Sequence, residues 1–134
     1  MIAVTVTIET QFYDLDPMGV VWHGNYARFF EQARCRLLDK IGYNYAAMQD
    51  SGFMWPIVDM QVKYVRPLRF PQSFTVTANI LEYANRLKIN YVISDASGIT
   101  LTKAKTTQVA VDVVTGELYL ESPAALTDKI KAIL

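Results

Sequence analysis

The chain has 134 residues, enough for one domain that buries roughly two-thirds of the surface its unfolded form exposes, and too few for two domains. Its 13 Lys and Arg residues balance 13 Asp and Glu residues, so no net charge would attract a nucleic acid or an anionic membrane. Hydrophobic residues make up 51% and charged residues 19%, with 6 Gly and 5 Pro, which excludes a disordered or fibrous chain. We therefore expect a single globular domain over residues 1–134.

The cysteine content and the N-terminal residues predict a cytoplasmic location. Cys35 is the only cysteine, so it cannot form an intramolecular disulfide, as is usual in a reducing compartment. Residues 1–10 lack the basic region and the continuous apolar region of a signal peptide. No stretch approaches the ~18 uninterrupted apolar residues of a membrane span. The sequence thus predicts neither export nor membrane insertion.

The first part of the chain predicts a strand, a loop and a long helix. Residues 3–9 alternate apolar and polar side chains, which is the period of a half-buried strand. Residues 11–24 contain two aspartates, a proline and two glycines, which is typical of an irregular loop. Residues 25–41 carry apolar side chains every three or four positions, which predicts an amphipathic helix. A glycine ends this helix, and Asn25 or Gly24 is expected to cap its start.

The rest of the chain predicts four strands and a short helix. A helical turn and a loop are expected first, over residues 43–52. Alternation then predicts strands in four runs, at residues 58–65, 74–80, 87–93 and 99–114. Ser122 and Pro123 are an N-cap and first-turn pair, which predicts a C-terminal helix that continues to Leu134.

The order of elements predicts the fold class. A strand, a long helix and then consecutive antiparallel strands with short turns indicate an α+β fold, because an α/β fold would alternate strands with helices. A helix of about 17 residues is roughly 25 Å long, and a curved antiparallel sheet of about five strands could wrap around it. The second sheet face and the sheet edges would then need a partner, which predicts a homodimer.

The loop before the helix carries a motif that is specific to one family. Residues 13–26 have the sequence YDLDPMGVVWHGNY, and residues 29–34 have the sequence FFEQAR. Together they closely resemble the signature of the 4-hydroxybenzoyl-CoA thioesterase-like branch of the hotdog-fold acyl-CoA thioesterases. The motif covers about the first third of the chain, and the order of elements fits this family over nearly all of it. The resemblance implies the hotdog fold, a homodimer that pairs into a tetramer, and thioester hydrolysis without a cofactor or a metal.

The resemblance also implies which residues are catalytic. In this family the aspartate of the DPxG step is the catalytic carboxylate, which corresponds to Asp16, acting as a nucleophile or as a general base on water. The thioester carbonyl would be polarised by backbone N–H groups where the helix begins, at His23 and Gly24. The His23 imidazole could orient the carbonyl, the water or the leaving thiolate. The structural alternatives are that Asp16 caps a turn and that His23 is a solvated loop residue.

Four nearby residues are expected to support the site. Asp14 lies two residues before Asp16, so in an extended loop both carboxylates would face one side and their titrations would be coupled. Asn25 and Tyr26 are expected to cap and pack the helix. Glu31 would lie on the helix near the site and hydrogen-bond to the active-site loop.

Substrate binding requires an apolar pocket for the acyl group and cations for the phosphates of CoA. The resemblance places the acyl group between subunits, and the candidate pocket residues are Met18, Trp22, Phe53, Met54 and Trp55. The candidate cations lie on strands or turns, and they are Arg66, Arg69, Arg86, Lys88, Lys103 and Lys105. The structural alternatives are an ordinary core for the apolar residues and a solvated strand face for the basic ones.

Other functions stay open at this point. A thioesterase that acts on acyl carrier protein would recognise the same pantetheine arm. A hotdog dehydratase or hydratase is a second alternative, which the loop motif disfavours. A non-catalytic acyl-binding dimer is a third, and in it Asp16 would be dispensable. A metal hydrolase would need more ligands than Asp14, Asp16 and His23 provide.

Overall fold

One long helix packs against a five-stranded antiparallel sheet in the computed structural model, which describes residues 2–134. The strands are β1 (Ala3–Glu9), β2 (Phe53–Met54), β3 (Ile57–Tyr64), β4 (Ser73–Glu82), β5 (Leu87–Asp95), β6 (Thr100–Gln108) and β7 (Val111–Asp112). The helices are α1 (Tyr26–Ile41), α2 (Tyr45–Asp50) and α3 (Ala124–Lys131), and two short 3-10 turns span Phe12–Asp14 and His23–Asn25. The predicted α+β class is confirmed.

The large sheet has the strand order β1-β4-β5-β6-β3, and β2 and β7 form a separate pair. The neighbours β4, β5 and β6 are consecutive in the chain, as predicted. The strand β3 is not beside β4, although it precedes β4 in the chain, because it pairs with β6 at the far edge of the sheet. This crossing places the end of β3 near the start of α1, where Tyr64 of β3 hydrogen-bonds to His23.

Alternate residues of the strands face α1 and form the core. The strand β4 buries Phe74 and Val76 between exposed or half-buried neighbours, and β5 buries Tyr91 in the same way. The apolar side of α1 packs on these residues, with ring centroids 5.0 Å apart for both Phe29–Phe74 and Phe30–Tyr91. The apolar side chains whose spacing predicts the strands and the helix are therefore the ones that form the core.

The two ends of α1 are formed differently. Gly42 ends the helix in the left-handed conformation at φ 75°, where a side chain would be strained, and its N–H bonds to the carbonyls of Asp39 and Leu38. The predicted stop is confirmed. At the other end Asn25 occupies the N-cap position, but its side chain makes no capping hydrogen bond. Asn25 is thus the N-cap residue as predicted, but its side-chain oxygen accepts Arg28 Nη2 at 3.0 Å and its amide donates to the carbonyl of Asp14.

Two boundaries near the C-terminus differ from the prediction. The predicted strand at 99–114 is divided into β6 and β7. The pairing of β6 with β3 and with β5 stops at Gln108 on both sides, so the large sheet does not continue beyond that residue. The chain then pairs with β2. The helix α3 starts after Pro123 and ends at Lys131, and Ser122 does not cap it. Ser122 lies before the helix and its N–H bonds to the carbonyl of Ala84, while its buried hydroxyl has no hydrogen-bond partner within residues 2–134.

The strand β3 forms an open edge of the sheet. It pairs with β6 on one side, and among residues 2–134 no strand pairs with the other side. Its exposed apolar side chains are Ile57, Val58, Met60 and Tyr64. An open edge with exposed apolar groups favours coverage by another chain, which agrees with the homodimer that stays a prediction. Among residues 2–134, no helix is long and apolar enough to cross a membrane.

Replacing Leu37 by alanine should lower the free energy of unfolding by about 2–5 kcal/mol, because Leu37 is fully buried where α1 meets the sheet and the change leaves a cavity. Arg36→Ala is the matched control, since Arg36 is exposed on the same helix, and it should change stability by less than about 0.5 kcal/mol. Denaturant unfolding measures both values. Equal effects of the two substitutions would contradict this assignment of the core face.

Candidate active site

The Asp16 carboxylate organises a tight turn over residues 16–20. The N–H of Asp16 donates to the carbonyl of Val20 at 2.8 Å, and the N–H of Gly19 donates to the carbonyl of Asp16 at 3.0 Å. The carboxylate atom Oδ1 accepts the N–H of Met18 at 2.8 Å and that of Val20 at 3.4 Å. Among residues 2–134 no donor is found for Oδ2. The carboxylate is thus fixed through one oxygen, and the other has no protein partner.

The same turn occurs a second time, in the β5–β6 hairpin. There Asp95 bonds to Ile99 and Gly98 through the backbone at 2.9 and 3.0 Å, and its Oδ1 accepts the N–H groups of Ser97 and Ile99, both at 2.9 Å. These hydrogen bonds, with that of the Ser97 hydroxyl first, lower the pKa of Asp95 below its usual value. Because an ordinary hairpin uses this geometry, the turn alone does not make Asp16 catalytic. Its surroundings must distinguish the two aspartates.

Asp16 differs from Asp95 because it lines a cavity. This cavity has a volume of about 230 Å³, and its walls are Asp16, Met18, Val20, Val21, His23, Tyr26, Tyr64, Val65, Arg66 and Pro67. The structure therefore brings together two predicted catalytic residues, Asp16 and His23, with two predicted binding residues, Met18 and Arg66. We call it the Asp16 cavity.

The start of α1 forms one side of this cavity. The 3-10 turn that precedes the helix uses the N–H of Asn25, which bonds to Trp22, and the N–H of Tyr26, which bonds to His23. No backbone acceptor is found within residues 2–134 for the N–H of His23 or of Gly24. Unpaired N–H groups at a helix start attract negative charge. Of these two predicted residues, His23 is a wall of the Asp16 cavity and Gly24 is not.

Gly24 is required here by a close approach of Trp22. A Cβ atom at Gly24 would lie 2.4 Å from two atoms of the Trp22 ring, so the ring covers the glycine. The Trp22 ring also lies 5.4 Å from the His23 ring, measured between centroids. Trp22 is half-exposed and is not among the walls of the Asp16 cavity. Its contacts are therefore with the helix start, and the predicted acyl contact has no support here.

Asp14 ties the loop to the helix. Its carboxylate is buried, with Oδ1 accepting Arg28 Nη2 and Oδ2 accepting the N–H of Gln11, both at 2.8 Å. Its carbonyl accepts the N–H of Trp22 at 2.9 Å and the side-chain amide of Asn25 at 2.8 Å. Asp14 closes a 3-10 turn, so the loop is not extended there. The expectation that it shares a face with Asp16 is wrong, and the two carboxylates have separate partners.

Two more expected site residues lie elsewhere. Trp55 is 5% exposed, and its indole N–H donates to the Tyr43 hydroxyl at 3.1 Å, so it belongs to the core. Glu31 is exposed and lies 3.5 Å from the Arg34 guanidinium, one turn along the helix. Its expected hydrogen bond to the active-site loop is wrong, because Arg34 takes that carboxylate. The neighbours of Trp55 in β2, Phe53 and Met54, are also outside the Asp16 cavity.

Most of the candidate cations are also remote from the cavity. Arg86 pairs with Glu82 at 3.1 Å beside the β4–β5 turn, and Lys88 lies opposite Glu82 and Thr107 in the sheet. Lys103 and Lys105 line a different concavity with Lys63, at exposed positions of β3 and β6. Arg69 is exposed and is not a wall of the Asp16 cavity. Of the predicted cations, Arg66 alone lines this cavity in the part of the chain that the structure describes.

Tyr64 is a cavity residue that the sequence did not reveal. Its hydroxyl donates to the carbonyl of His23 at 3.0 Å, and partial burial raises the pKa of this hydroxyl above its usual value. Its ring packs edge-on against Tyr26, with centroids 4.8 Å apart. The alternation in β3 predicts on which face of the sheet Tyr64 lies. Its contact with His23 was not predictable, because it depends on the pairing of β3 with β6. No group of three or more His, Cys, Asp or Glu in residues 2–134 could hold a metal ion.

One long helix against a five-stranded antiparallel sheet is the arrangement of the hotdog fold. Residues 10–134 match the model of the Thioesterase-like superfamily, and the chain belongs to this family. A Bacillus subtilis (strain 168) protein named as a candidate acyl-CoA thioesterase, YneP, is 30% identical over 106 residues, which cover 78% of this chain and 77% of that one.

Two further similarities agree. The acyl-CoA thioester hydrolase YbgC of Escherichia coli O157:H7 is 26% identical over 78% of this chain and 79% of its own. The solved structure of the DHNA-CoA thioesterase from Staphylococcus aureus superposes with a TM-score of 0.84 at 27% identity, covering 99% of this chain and 93% of the other. The predicted family, the hotdog fold and the enzyme class, a hydrolase of thioester bonds, are confirmed.

A double-mutant cycle tests the contact between Gly24 and Trp22. Gly24→Ala should lower the free energy of unfolding by about 1–3 kcal/mol, because the new methyl group displaces the ring. In a Trp22→Ala background the same change should cost nothing, since the space is open and alanine favours a helix. Denaturant unfolding of the four proteins gives the coupling energy. A cost that is the same in both backgrounds would contradict the contact.

Proposed function

We propose that the protein hydrolyses acyl-CoA thioesters to the free acid and CoA in the Asp16 cavity. The observation that carries this proposal is that Asp16 and His23 line one cavity, and that the N–H of His23 at the helix start has no backbone acceptor among residues 2–134. The similarity to a Bacillus subtilis candidate acyl-CoA thioesterase and to an Escherichia coli acyl-CoA thioester hydrolase supports CoA as the carrier. A carboxylate and an oxyanion site together are sufficient for acyl transfer to water.

The N–H groups of His23 and Gly24 bind the carbonyl oxygen of the thioester. Negative charge develops on that oxygen as the carbonyl carbon becomes tetrahedral, and the two donors and the positive end of α1 stabilise it. Both donors are held by the backbone of the 3-10 turn, so they need little reorganisation during the reaction. Stabilisation of this kind lowers the barrier because it is stronger in the transition state than in the ground state.

Asp16 supplies the nucleophile by one of two routes. In the first its carboxylate attacks the carbonyl carbon, the C–S bond breaks, and water then hydrolyses the mixed anhydride. In the second the carboxylate accepts a proton from a water molecule that attacks the same carbon. Both routes release the acid and the CoA thiol. The His23 side chain lines the same cavity and is proposed to orient the leaving thiolate.

The walls of the cavity favour an apolar acyl or aryl group. Met18, Val20, Val65 and Pro67 contribute apolar surface to it. Arg66 is the proposed cation for the CoA phosphates, because its exposed side chain reaches this cavity. An acyl carrier protein presents the same thioester and pantetheine arm, and it is the alternative carrier. The homodimer, its pairing into a tetramer and the cytoplasmic location are part of the same proposal.

Asp16→Asn should lower the rate of thiol release from a panel of short, long and aromatic acyl-CoAs by about 10² or more. The amide oxygen can still accept the N–H of Met18, so the turn and the thermal stability should be kept. Asp95→Asn is the matched control, because Asp95 makes the same turn outside the cavity, and it should leave the rate unchanged.

Other outcomes would contradict parts of this proposal. A folded Asp16→Asn variant with the activity of the wild type would show that Asp16 is dispensable. Activity of the wild type on acyl carrier protein thioesters, and none on the CoA panel, would exclude CoA as the carrier. A wild-type protein that binds acyl-CoA and hydrolyses neither carrier would establish the non-catalytic binding function.

Arg66→Gln should raise KM for acyl-CoA by about 10-fold and leave kcat within about 2-fold, because a phosphate contact contributes equally to the bound substrate and the transition state. The KM of the wild type should rise with salt, and that of the variant should rise less. Arg86→Gln is the control, since Arg86 pairs with Glu82 away from the cavity. Equal KM values for Arg66→Gln and Arg86→Gln would contradict the role of Arg66.

A further inference from the structure

The two edge strands of the large sheet expose different side chains. The edge strand β1 exposes polar residues, namely Thr5, Thr7 and Glu9. The other edge strand, β3, pairs with β6 on one side, and within residues 2–134 no strand pairs with its outward side. On β3 the apolar residues Met60 and Tyr64 are each 47% exposed. An unpaired edge that also exposes apolar side chains is a surface to which another strand can add.

The middle of β3 carries opposite charges at equal distances from one residue. Residues 59–63 have the sequence DMQVK, so Asp59 and Lys63 each lie two positions from Gln61. Side chains alternate along a strand, so these three residues share one face of the sheet, and Met60 and Val62 share the other. The charge pattern of this segment is therefore complementary to itself when the segment is read in the reverse direction.

Lys63 faces a like charge within its own chain. It lies directly opposite Lys103 of β6, and Lys105 follows on the same face. Like charges at opposite positions destabilise a sheet. None of the three lysines forms an ion pair among residues 2–134, and in the same part of the chain the one side-chain hydrogen bond of Asp59 comes from Gln61 at 3.3 Å. A carboxylate on the outward side of Lys63 would relieve this repulsion.

A second copy of β3 supplies that carboxylate in one register. Two copies that pair antiparallel about a two-fold axis have opposite residues on the same face, so the axis must pass through a residue position. An axis at Gln61 places each Asp59 opposite the partner's Lys63, and each Met60 opposite the partner's Val62. An axis at Met60 or Val62 places both charges opposite uncharged residues. An axis at Asp59 or Lys63 places like charges together.

We propose that the protein dimerises by antiparallel pairing of two β3 strands about Gln61, with each Asp59 beside the partner's Lys63. This inference rests on the homodimer of the proposed function, and it names the interface, the register and the ion pairs. Symmetry gives two such ion pairs in each dimer. Tyr64, at the end of β3, is a wall of the Asp16 cavity, so each cavity lies beside the start of the partner's β3.

Single cysteines along β3 measure the register. Each variant carries Cys35→Ala, which removes the native thiol, and one further change to cysteine, at Asp59, Met60, Gln61, Val62 or Lys63. A residue on the axis lies about 4.5–5.5 Å from its own copy between Cα atoms, which suits a disulfide. One position away this distance is about 8 Å, which is too long. On a non-reducing gel after mild oxidation, Gln61→Cys should form cross-linked dimer about 10-fold faster than the other four.

Charge reversal tests the ion pairs without a new bond. Asp59→Lys sets lysine opposite lysine, and Lys63→Asp sets aspartate opposite aspartate, so each variant alone should dimerise about 10-fold more weakly than the wild type. In an equimolar mixture the heterodimer regains two pairs of opposite charge, and sedimentation equilibrium should show stronger association than for either variant alone. Asp39→Lys is the matched control, because Asp39 is exposed on α1 and the change in net charge is the same. It should alter the dimer dissociation constant by less than about 2-fold.

Each other result overturns a defined part of the inference. Faster cross-linking at Met60 or Val62 than at Gln61 would overturn the register. A wild-type dimer in which none of the five cysteines cross-links, and in which mixing the charge variants restores nothing, would overturn the β3 interface. A wild type that sediments as a monomer would overturn the homodimer and this inference together. None of these measurements uses hydrolysis, so a wild type that dimerises as proposed and cleaves no thioester would overturn the proposed activity alone.

Discussion

Burial of the apolar side of α1 against the sheet determines where the helix begins, and the candidate site is built at that point. Phe29 and Phe30 anchor the first turns of the helix on Phe74 and Tyr91. Because these contacts fix the helix axis, they also fix the position of the N–H groups that precede it. The N–H groups at the start of a helix that packs on the core are already oriented as hydrogen-bond donors. At the start of a frayed helix, substrate binding would first have to order them.

The loop before the helix is held in place by polar contacts that depend on this same helix. The buried Asp14 carboxylate would be costly without partners, and Arg28 of α1 and the N–H of Gln11 supply them. A second connection joins the N–H of Val21 to the carbonyl of Leu68, in the segment after β3. The loop is thus attached on one side to the helix and on the other to the sheet. Asp16 lies between these two attachments, which explains why a loop residue has a defined place in the cavity.

The sequence predicts those parts of the structure that depend on local patterns. The period of residues 25–41 and the glycine after them are sufficient for the bounds of α1, and the alternation in β4 and β5 predicts their buried faces. The pairing of β3 with β6 is not predictable from such patterns, because strand alternation is the same for every choice of neighbour. The contact of Tyr64 with His23 therefore could not be foreseen. The contacts of Trp55 with Tyr43 and of Glu31 with Arg34 were unforeseen for a similar reason, since a residue's type does not show which neighbour it will contact.

Asp16 and Asp95 show how a local structure and a functional site are related. Both form the same turn, so the conformation of the Asp16 carboxylate follows a local pattern that the two D-x-x-G sequences share. What differs is tertiary, because the turn of Asp95 closes a hairpin and that of Asp16 faces the start of α1. The turn binds Oδ1 of Asp16, and no donor among residues 2–134 binds Oδ2. The orientation of the carboxylate is thus fixed while one of its oxygens stays available. A turn of this kind becomes a candidate catalytic element when the packing of a helix brings the unpaired N–H of His23 to the same cavity.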